Sequence, residues 1–170
     1  MPSAPVGGDL ALTDHFDRAV TIRSFRGKHV LLFFGFTHCR VTCPTILGRL
    51  SKALDRLGPA AERIQPLYVT VDPDRDTPAI MQKFLEERFP RFLGLTGSAT
   101  EIATAKQEFK VFAQKKVDAA EPDGYAVPHS AFTFVLDTEG QYLTHFTNAT
   151  SEDEIVERLR ACHSVNPVMI

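Results

Sequence analysis

The run Val30-Leu31-Leu32-Phe33-Phe34-Gly35-Phe36 carries no polar side chain at any position. A strand built from it must be covered on both faces, which places it at the centre of a sheet with helices on either side. Thr37-His38-Cys39-Arg40-Val41-Thr42-Cys43-Pro44 follows at once. Pro44 suits the first turn of a helix, where its missing N–H would have had no partner. Ile46, Leu47, Leu50, Ala53, Leu54 and Leu57 then recur at helical spacing before Gly58-Pro59 stops the pattern. The reading predicts a helix from Pro44 with Cys43 as its N-cap, so two cysteines occupy a turn from a buried strand into a helix.

The remaining chain alternates strand and helix signals. Asp9 to Phe25 contains the polar turn Asp14-His15-Phe16-Asp17-Arg18 between short apolar pieces and predicts an N-terminal hairpin. Ile64 to Val71 reads as a second buried strand. Asp72-Pro73-Asp74-Arg75-Asp76 is a loop ending on Thr77 as N-cap, with Pro78 opening a helix to about Phe89. Phe92 to Thr96 is a short strand, and Ser98 caps a helix expected from Ala99 to about Phe112, with Ile102, Ala105, Phe109 and Phe112 on one face. Gln114 to Pro128 has no periodicity and reads as an exposed loop. Ala131 to Asp137 and Gln141 to Phe146 flank Thr138-Glu139-Gly140 as a hairpin, and Ser151 with Glu154 forms a capping box for a last helix to about Cys162. This order predicts an α/β thioredoxin-like fold, a central mixed sheet flanked by helices, with the N-terminal β-hairpin added.

At 170 residues with 44% apolar side chains, one domain spanning 1–170 is expected, with residues 1–8 and 163–170 as flexible tails. The balance of 19 basic and 21 acidic side chains leaves no positive field for nucleic acid. Apolar stretches fall far short of the roughly 20 residues a membrane helix needs, so a soluble segment is expected. Three cysteines are too few for a disulfide scaffold and direct attention to site chemistry.

Two thiols separated by three residues can bind a soft metal, cycle between dithiol and disulfide, or form a structural clip. At a helix start, the partial positive charge of the helix end favours the thiolate of Cys43. Cys39 lies in the preceding loop, so chelating and disulfide geometries are both open. A metal needs a further ligand, and His129 in Val127-Pro128-His129-Ser130 ends the irregular loop just before a strand. In a thioredoxin-like fold that loop faces the cysteine turn. Two thiolates and one imidazole suit Cu(I), and Cu(II) if a fourth or solvent ligand joins, whereas structural zinc wants four protein ligands.

Phe34-Gly35-Phe36-Thr37-His38-Cys39, Cys43-Pro44, Val71-Asp72-Pro73 with Arg75-Asp76-Thr77-Pro78, and His129-Ser130 ahead of Phe134 and Asp137 together resemble the Sco/SenC family, over about Leu10 to Leu159. The resemblance implies a thioredoxin-like copper-binding domain whose metal ligands are Cys39, Cys43 and His129. It implies a metallochaperone that helps assemble the dinuclear copper site of cytochrome c oxidase, with that copper-site subunit or another copper chaperone as partner. It also implies a membrane anchor upstream of this segment and a location in the bacterial periplasm or the mitochondrial intermembrane space. In the alternative activity, thiol-disulfide oxidoreduction at the acceptor copper site, Cys39 and Cys43 are the catalytic redox pair. Many relatives have Asp immediately before the ligand histidine, where this chain has Pro128, so no role of that Asp is carried over.

Other candidates weigh less. His38 is adjacent to Cys39 and is assigned packing or support, because adjacent side chains seldom converge on one ion. Asp72, Asp74 and Asp76 lack the glycine and distal glutamate of a calcium loop and read as a capped turn. Cys162 falls seven residues after Ile155 on an apolar stripe and is expected to be a buried or partly buried free thiol. Lys115 to Asp123 reads as a solvated loop, with a docking surface as the sharper alternative.

Overall fold

A computed structural model describes residues 7–37, 42–111, 116–117, 125–126 and 132–164, with the backbone alone at 42–43, 116–117, 125–126 and 163–164. The strands are β1 (Ala11–Asp14), β2 (Ala19–Thr21), β3 (His29–Gly35), β4 (Ile64–Thr70), β5 (Leu93–Thr96), β6 (Lys116–Val117), β7 (Tyr125–Ala126), β8 (Thr133–Leu136) and β9 (Tyr142–Phe146). The helices are α1 (Thr42–Leu57), α2 (Pro78–Arg88), α3 (Ala99–Glu108) and α4 (Glu152–Ser164). Seven strands form one mixed sheet in the order β2-β1-β5-β4-β3-β8-β9. Strands β3, β4 and β5 run parallel, while β1 pairs antiparallel with β5 and β8 antiparallel with β3.

The all-apolar run does occupy the middle of this sheet. Because side chains alternate across a strand, Leu31 and Phe33 face one layer with α1, α2 and α4, where Leu47, Leu50, Leu85 and Leu159 pack. Val30, Leu32 and Phe34 face the other, with Leu12, Ile102 and Phe109. Two cores therefore share one strand. The N-terminal hairpin extends the sheet through β1, and Gly7, expected within a flexible tail, donates its N–H to the Glu108 carbonyl at 2.8 Å. At the other end α4 continues through Ser164.

Local signals set several boundaries as expected. Thr77 caps α2 by accepting from the Ile80 N–H at 3.3 Å, and Ser98 and Glu101 form a reciprocal box at α3. Ser151 accepts from the Glu154 N–H at 3.1 Å and so caps α4.

Three expectations need correction. Helix α3 ends at Glu108 and does not reach Phe112, because Lys110 adopts φ 54° and the N–H groups of Lys110 and Val111 turn back to the Gln107 and Lys106 carbonyls. This is a Schellman closure made with lysine, which the sequence does not signal because glycine usually fills that position. Within the supposed irregular loop, β6 and β7 pair antiparallel with Val117 opposite Tyr125. Two-residue strands are too short to show alternation. Finally, α1 begins at Thr42, so Cys43 lies in its first turn and is not the N-cap.

His15 ties β1 to β5. Its N–H donates to the Gly94 carbonyl and its ring Nδ1 accepts the Gly94 N–H, both at 3.0 Å. A Cβ on Gly94 would stand 2.9 Å from Leu85 Cδ1 and 3.2 Å from that ring nitrogen, so the position needs glycine for close approach. Burial pushes the His15 imidazole below its ordinary value of 6.5, against the opposing charges of Asp14 and Glu86. The unfolded chain therefore binds this proton more readily, so the stabilising neutral form is fully present above 6.5 and is lost as pH falls towards the folded value. His15→Gln is expected to flatten the loss of unfolding free energy as pH falls below 6.5, by at most ~1.4 kcal/mol per pH unit, the limit for one proton. Urea unfolding at several pH values checks this. His29, likewise depressed by burial with Asp137 opposing, is present in both proteins and cancels in the comparison.

Candidate functional site

Strands β3 and β4 run side by side to a common end, with Phe34 opposite Val69 and Gly35 opposite Thr70, and the Val71 N–H donates to the Gly35 carbonyl at 2.8 Å. Strand β8 enters at that same end, since it runs antiparallel to β3 with Phe33 opposite Thr133. Crevices outside the carboxyl ends of parallel strands are where open α/β sheets bind ligands. Three segments therefore meet there: the exit from β3 at Phe36-Thr37, the exit from β4 at Val71–Thr77, and the entry to β8 at Phe132.

The exits of β3 and β4 are joined by a buried polar cluster. Asp76, with no exposed surface, accepts through Oδ2 from the Thr37 N–H at 3.0 Å and the Thr70 hydroxyl at 2.8 Å. Its Oδ1 lies 2.5 Å from the Thr37 hydroxyl. Its own carbonyl accepts from the Thr96 hydroxyl at 2.8 Å, which fixes the Asp76 backbone to β5. Burial pushes the Asp76 carboxyl above its ordinary range, while the Thr37 and Thr70 bonds pull the other way and the Asp72 charge adds to the rise. Beside it, Asp72, also without exposed surface, pairs with the Arg75 guanidinium at 2.5 Å and donates its N–H to the Thr70 hydroxyl at 2.9 Å. Arg75 lies over the Phe36 ring with its guanidinium carbon 5.8 Å from the centroid, a cation–π geometry.

This cluster was not legible from the sequence. The spacing of Asp72, Asp74 and Asp76 suggested a capped turn, and the turn and its Thr77 cap are present. Yet two of its carboxylates point inward, and Thr37, the partner of Asp76, lies 39 positions away from it. The signal that could have found them was the register of two buried strands with Thr-bearing ends.

Of the three residues assigned to a metal, Cys39 and His129 lie outside the described residues, as do His38, Pro128 and the stretch 118–124. Cys43 is described in backbone only, as the second residue of α1. That is a position where the helix end still favours a thiolate. Among the described residues no group of three or more His, Cys, Asp or Glu side chains is arranged to hold a metal ion. In particular, the carboxylates of the β4–α2 loop make a pairing cluster and not a hard-metal site. Cys162 is half-buried against the α1/α4 core, where burial pushes its thiol up against the opposing Arg158 charge, as expected of an inert thiol. No helix among the described residues is long and apolar enough to cross a membrane.

Beyond the cluster, Phe132 is exposed at the mouth of β8 and packs edge-on against His145, ring centroids 5.3 Å apart. The Tyr142 hydroxyl lies 2.6 Å from His145 Nδ1. An aromatic group thus flanks the entry to β8, on the edge side of the sheet.

Comparison with known proteins agrees with this layout. A family model described as SCO1/SenC matches residues 1–164. The mitochondrial protein SCO2 homolog of Bos taurus is 39% identical over 160 residues, covering 92% of this chain and 60% of that protein. The chain thus spans under two thirds of that relative's length. The structure of Bradyrhizobium japonicum ScoI with copper bound superposes with a TM-score of 0.83 at 36% identity, covering 92% of this chain and 98% of that one. Yeast Sco1 with copper bound gives a TM-score of 0.86 at 30% identity, covering 97% and 92%. The thioredoxin-like α/β layering read from the element order is therefore the fold of these copper-bound Sco structures, and the chain belongs to the SCO1/SenC family.

Proposed function

We propose that the chain is a copper carrier. The thiolates of Cys39 and Cys43 and the imidazole of His129 hold one copper ion as cargo, Cu(I) in the reduced protein and Cu(II) when a further or solvent ligand joins. The observation that supports this most is topological. Thr37, just after β3, and Phe132, just before β8, stand at one end of the sheet on neighbouring strands, and α1 starts there with Cys43 in its first turn. The donor set also fits the metal: two soft thiolates and a borderline imidazole suit copper better than calcium or magnesium.

Transfer proceeds by ligand exchange, in which an acceptor's thiolates replace those of Cys39 and Cys43 one at a time. By likeness to the family, the acceptor is the dinuclear copper site of cytochrome c oxidase, and another copper chaperone is the donor. An anchor preceding this segment holds the domain at a membrane, facing the bacterial periplasm or the mitochondrial intermembrane space.

A second reading draws on Cys43 at the start of α1, where a thiolate is favoured. One thiolate of the pair attacks a disulfide in the acceptor copper site, breaking its S–S bond and releasing an acceptor thiolate. The other then resolves the mixed disulfide, leaving Cys39–Cys43 oxidised and the acceptor reduced by two electrons. His129→Ala separates the readings. As a carrier the protein is expected to lose about 100-fold or more in copper affinity, roughly 3 kcal/mol, while exchange with a model disulfide stays within a few-fold of the parent. Unchanged copper binding in His129→Ala would remove that residue from the ligand set.

A further inference from the structure

We infer that Asp76 is a positioning residue for the metal-binding loop: through Thr37 it sets where the segment bearing Cys39 leaves the sheet. The inference rests on the proposed copper site and adds a residue that touches neither the metal nor its ligands.

The geometry is specific. Thr37 is held to one carboxylate twice, by its N–H at 3.0 Å and its hydroxyl at 2.5 Å, while Thr70 at the end of β4 engages the same group at 2.8 Å. Asp76 is itself immobilised, since its carbonyl accepts from Thr96 on β5 and its N–H donates to the Asp72 carbonyl at 3.0 Å. The ends of three adjacent strands thus converge on one buried residue, two on its carboxylate and one on its backbone carbonyl. Arg75 adds a second hold on the same exit by lying over Phe36. Cys39 is two residues beyond Thr37, within ~7 Å of chain, so among the described residues Thr37 is the last anchored point on the sheet side of that cysteine. Residues 38–41 connect Thr37 to α1, so with α1 packed on the core, Thr37 is the end of that connection whose position Asp76 sets.

A support role of this kind differs from a general contribution to stability in its dependence on hydrogen-bond pattern. Asn at position 76 can accept from the Thr37 N–H and the Thr70 hydroxyl through its oxygen and donate from its amide to the Thr37 oxygen, whose hydroxyl is free to rotate. Ala can do none of these. Thr37→Val keeps the backbone bond and loses only the hydroxyl.

The test compares the reduced parent with Asp76→Ala, Asp76→Asn and Thr37→Val under conditions where circular dichroism shows each folded. It measures Cu(I) affinity by chelator competition and the reduction potential of the Cys39/Cys43 pair by equilibration with a dithiol buffer. Asp76→Ala is expected to lower Cu(I) affinity by about 10–100-fold, the effect usual for groups that orient ligands, and to shift the reduction potential. Asp76→Asn is expected within threefold of the parent and Thr37→Val between the two. Equal affinity and potential in Asp76→Ala and the parent would overturn the inference. If Asp76→Ala does not fold, Thr37→Val decides, and parent-like values there overturn it equally. If the parent binds no Cu(I), the carrier reading falls, and the reduction potentials alone still decide whether Asp76 positions the pair.

Discussion

Cys43→Ser is expected to abolish stoichiometric copper binding, lowering Cu(I) affinity by about 1,000-fold or more, roughly 4 kcal/mol. The residue carries two roles at once. In the proposed copper site its thiolate is one of two soft donors, and a hydroxyl is a poor ligand for Cu(I). It also stands in the first turn of α1, where the helix end lowers the cost of the thiolate form. The remaining pair, Cys39 and His129, leaves the ion with one thiolate, and the same substitution removes intramolecular disulfide formation. Both properties should fail together while folding survives, because serine suits the first turn of a helix. Chelator competition and thiol titration measure the two losses. A Cys43→Ser protein that still bound copper with parent affinity would exclude this cysteine from the site.

Arg75→Ala is expected to cost about 3–5 kcal/mol of folding stability, the usual penalty for removing one partner of a buried ion pair. Asp72 has no exposed surface and its carboxylate meets the Arg75 guanidinium at 2.5 Å, with Arg75 itself only 9% exposed in its side chain. An exposed pair would contribute little, and the surface bridge between Arg56 and Asp153, whose side chains are 44% and 85% exposed, is expected to behave that way. The loss at Arg75 arises mostly from stranding the Asp72 charge. Asp72→Asn combined with Arg75→Met should therefore be less destabilised than Arg75→Ala alone, although it removes more of the native pair. Urea unfolding of the three proteins measures this. A loss below about 1 kcal/mol in Arg75→Ala would place the pair among ordinary surface bridges.

Most of the scaffold was legible from local chemistry. Val30 to Phe36 announced its burial because no residue in it tolerates water, and Thr77-Pro78 and Ser98…Glu101 marked helix starts through caps that work within a few residues. What escaped was longer in range or shorter in extent. The Thr37–Asp76 bonds depend on parallel pairing of β3 with β4, which brings together residues far apart in the chain. Lys110 closes α3 in a conformation that its side chain does not advertise. The β6–β7 ladder involves two residues on each strand. The assignment of Cys39, Cys43 and His129 rests on a different signal, because thiolate and imidazole are unusual enough as donors that type, order along the chain and family resemblance point to a soft metal, and of the three the structure describes only the Cys43 backbone.

The residues around that site divide the work. Burial of β3 on both faces fixes the platform, the register of β4 and β8 gathers the segments at one end, and Asp72, Arg75 and Asp76 lock the β3 exit. In the proposed carrier, copper binding is then left to the segments that follow Thr37 and precede Phe132 at that end.

The most direct measurement is titration of the fully reduced protein with Cu(I) against a chromophoric chelator of known affinity, followed by Cu(II) addition with absorption spectroscopy. The carrier reading predicts one tightly held ion per chain and a thiolate-to-Cu(II) charge-transfer band, both lost in Cys43→Ser. No stoichiometric binding of either ion by the reduced protein would contradict it and leave dithiol exchange as the function of the pair.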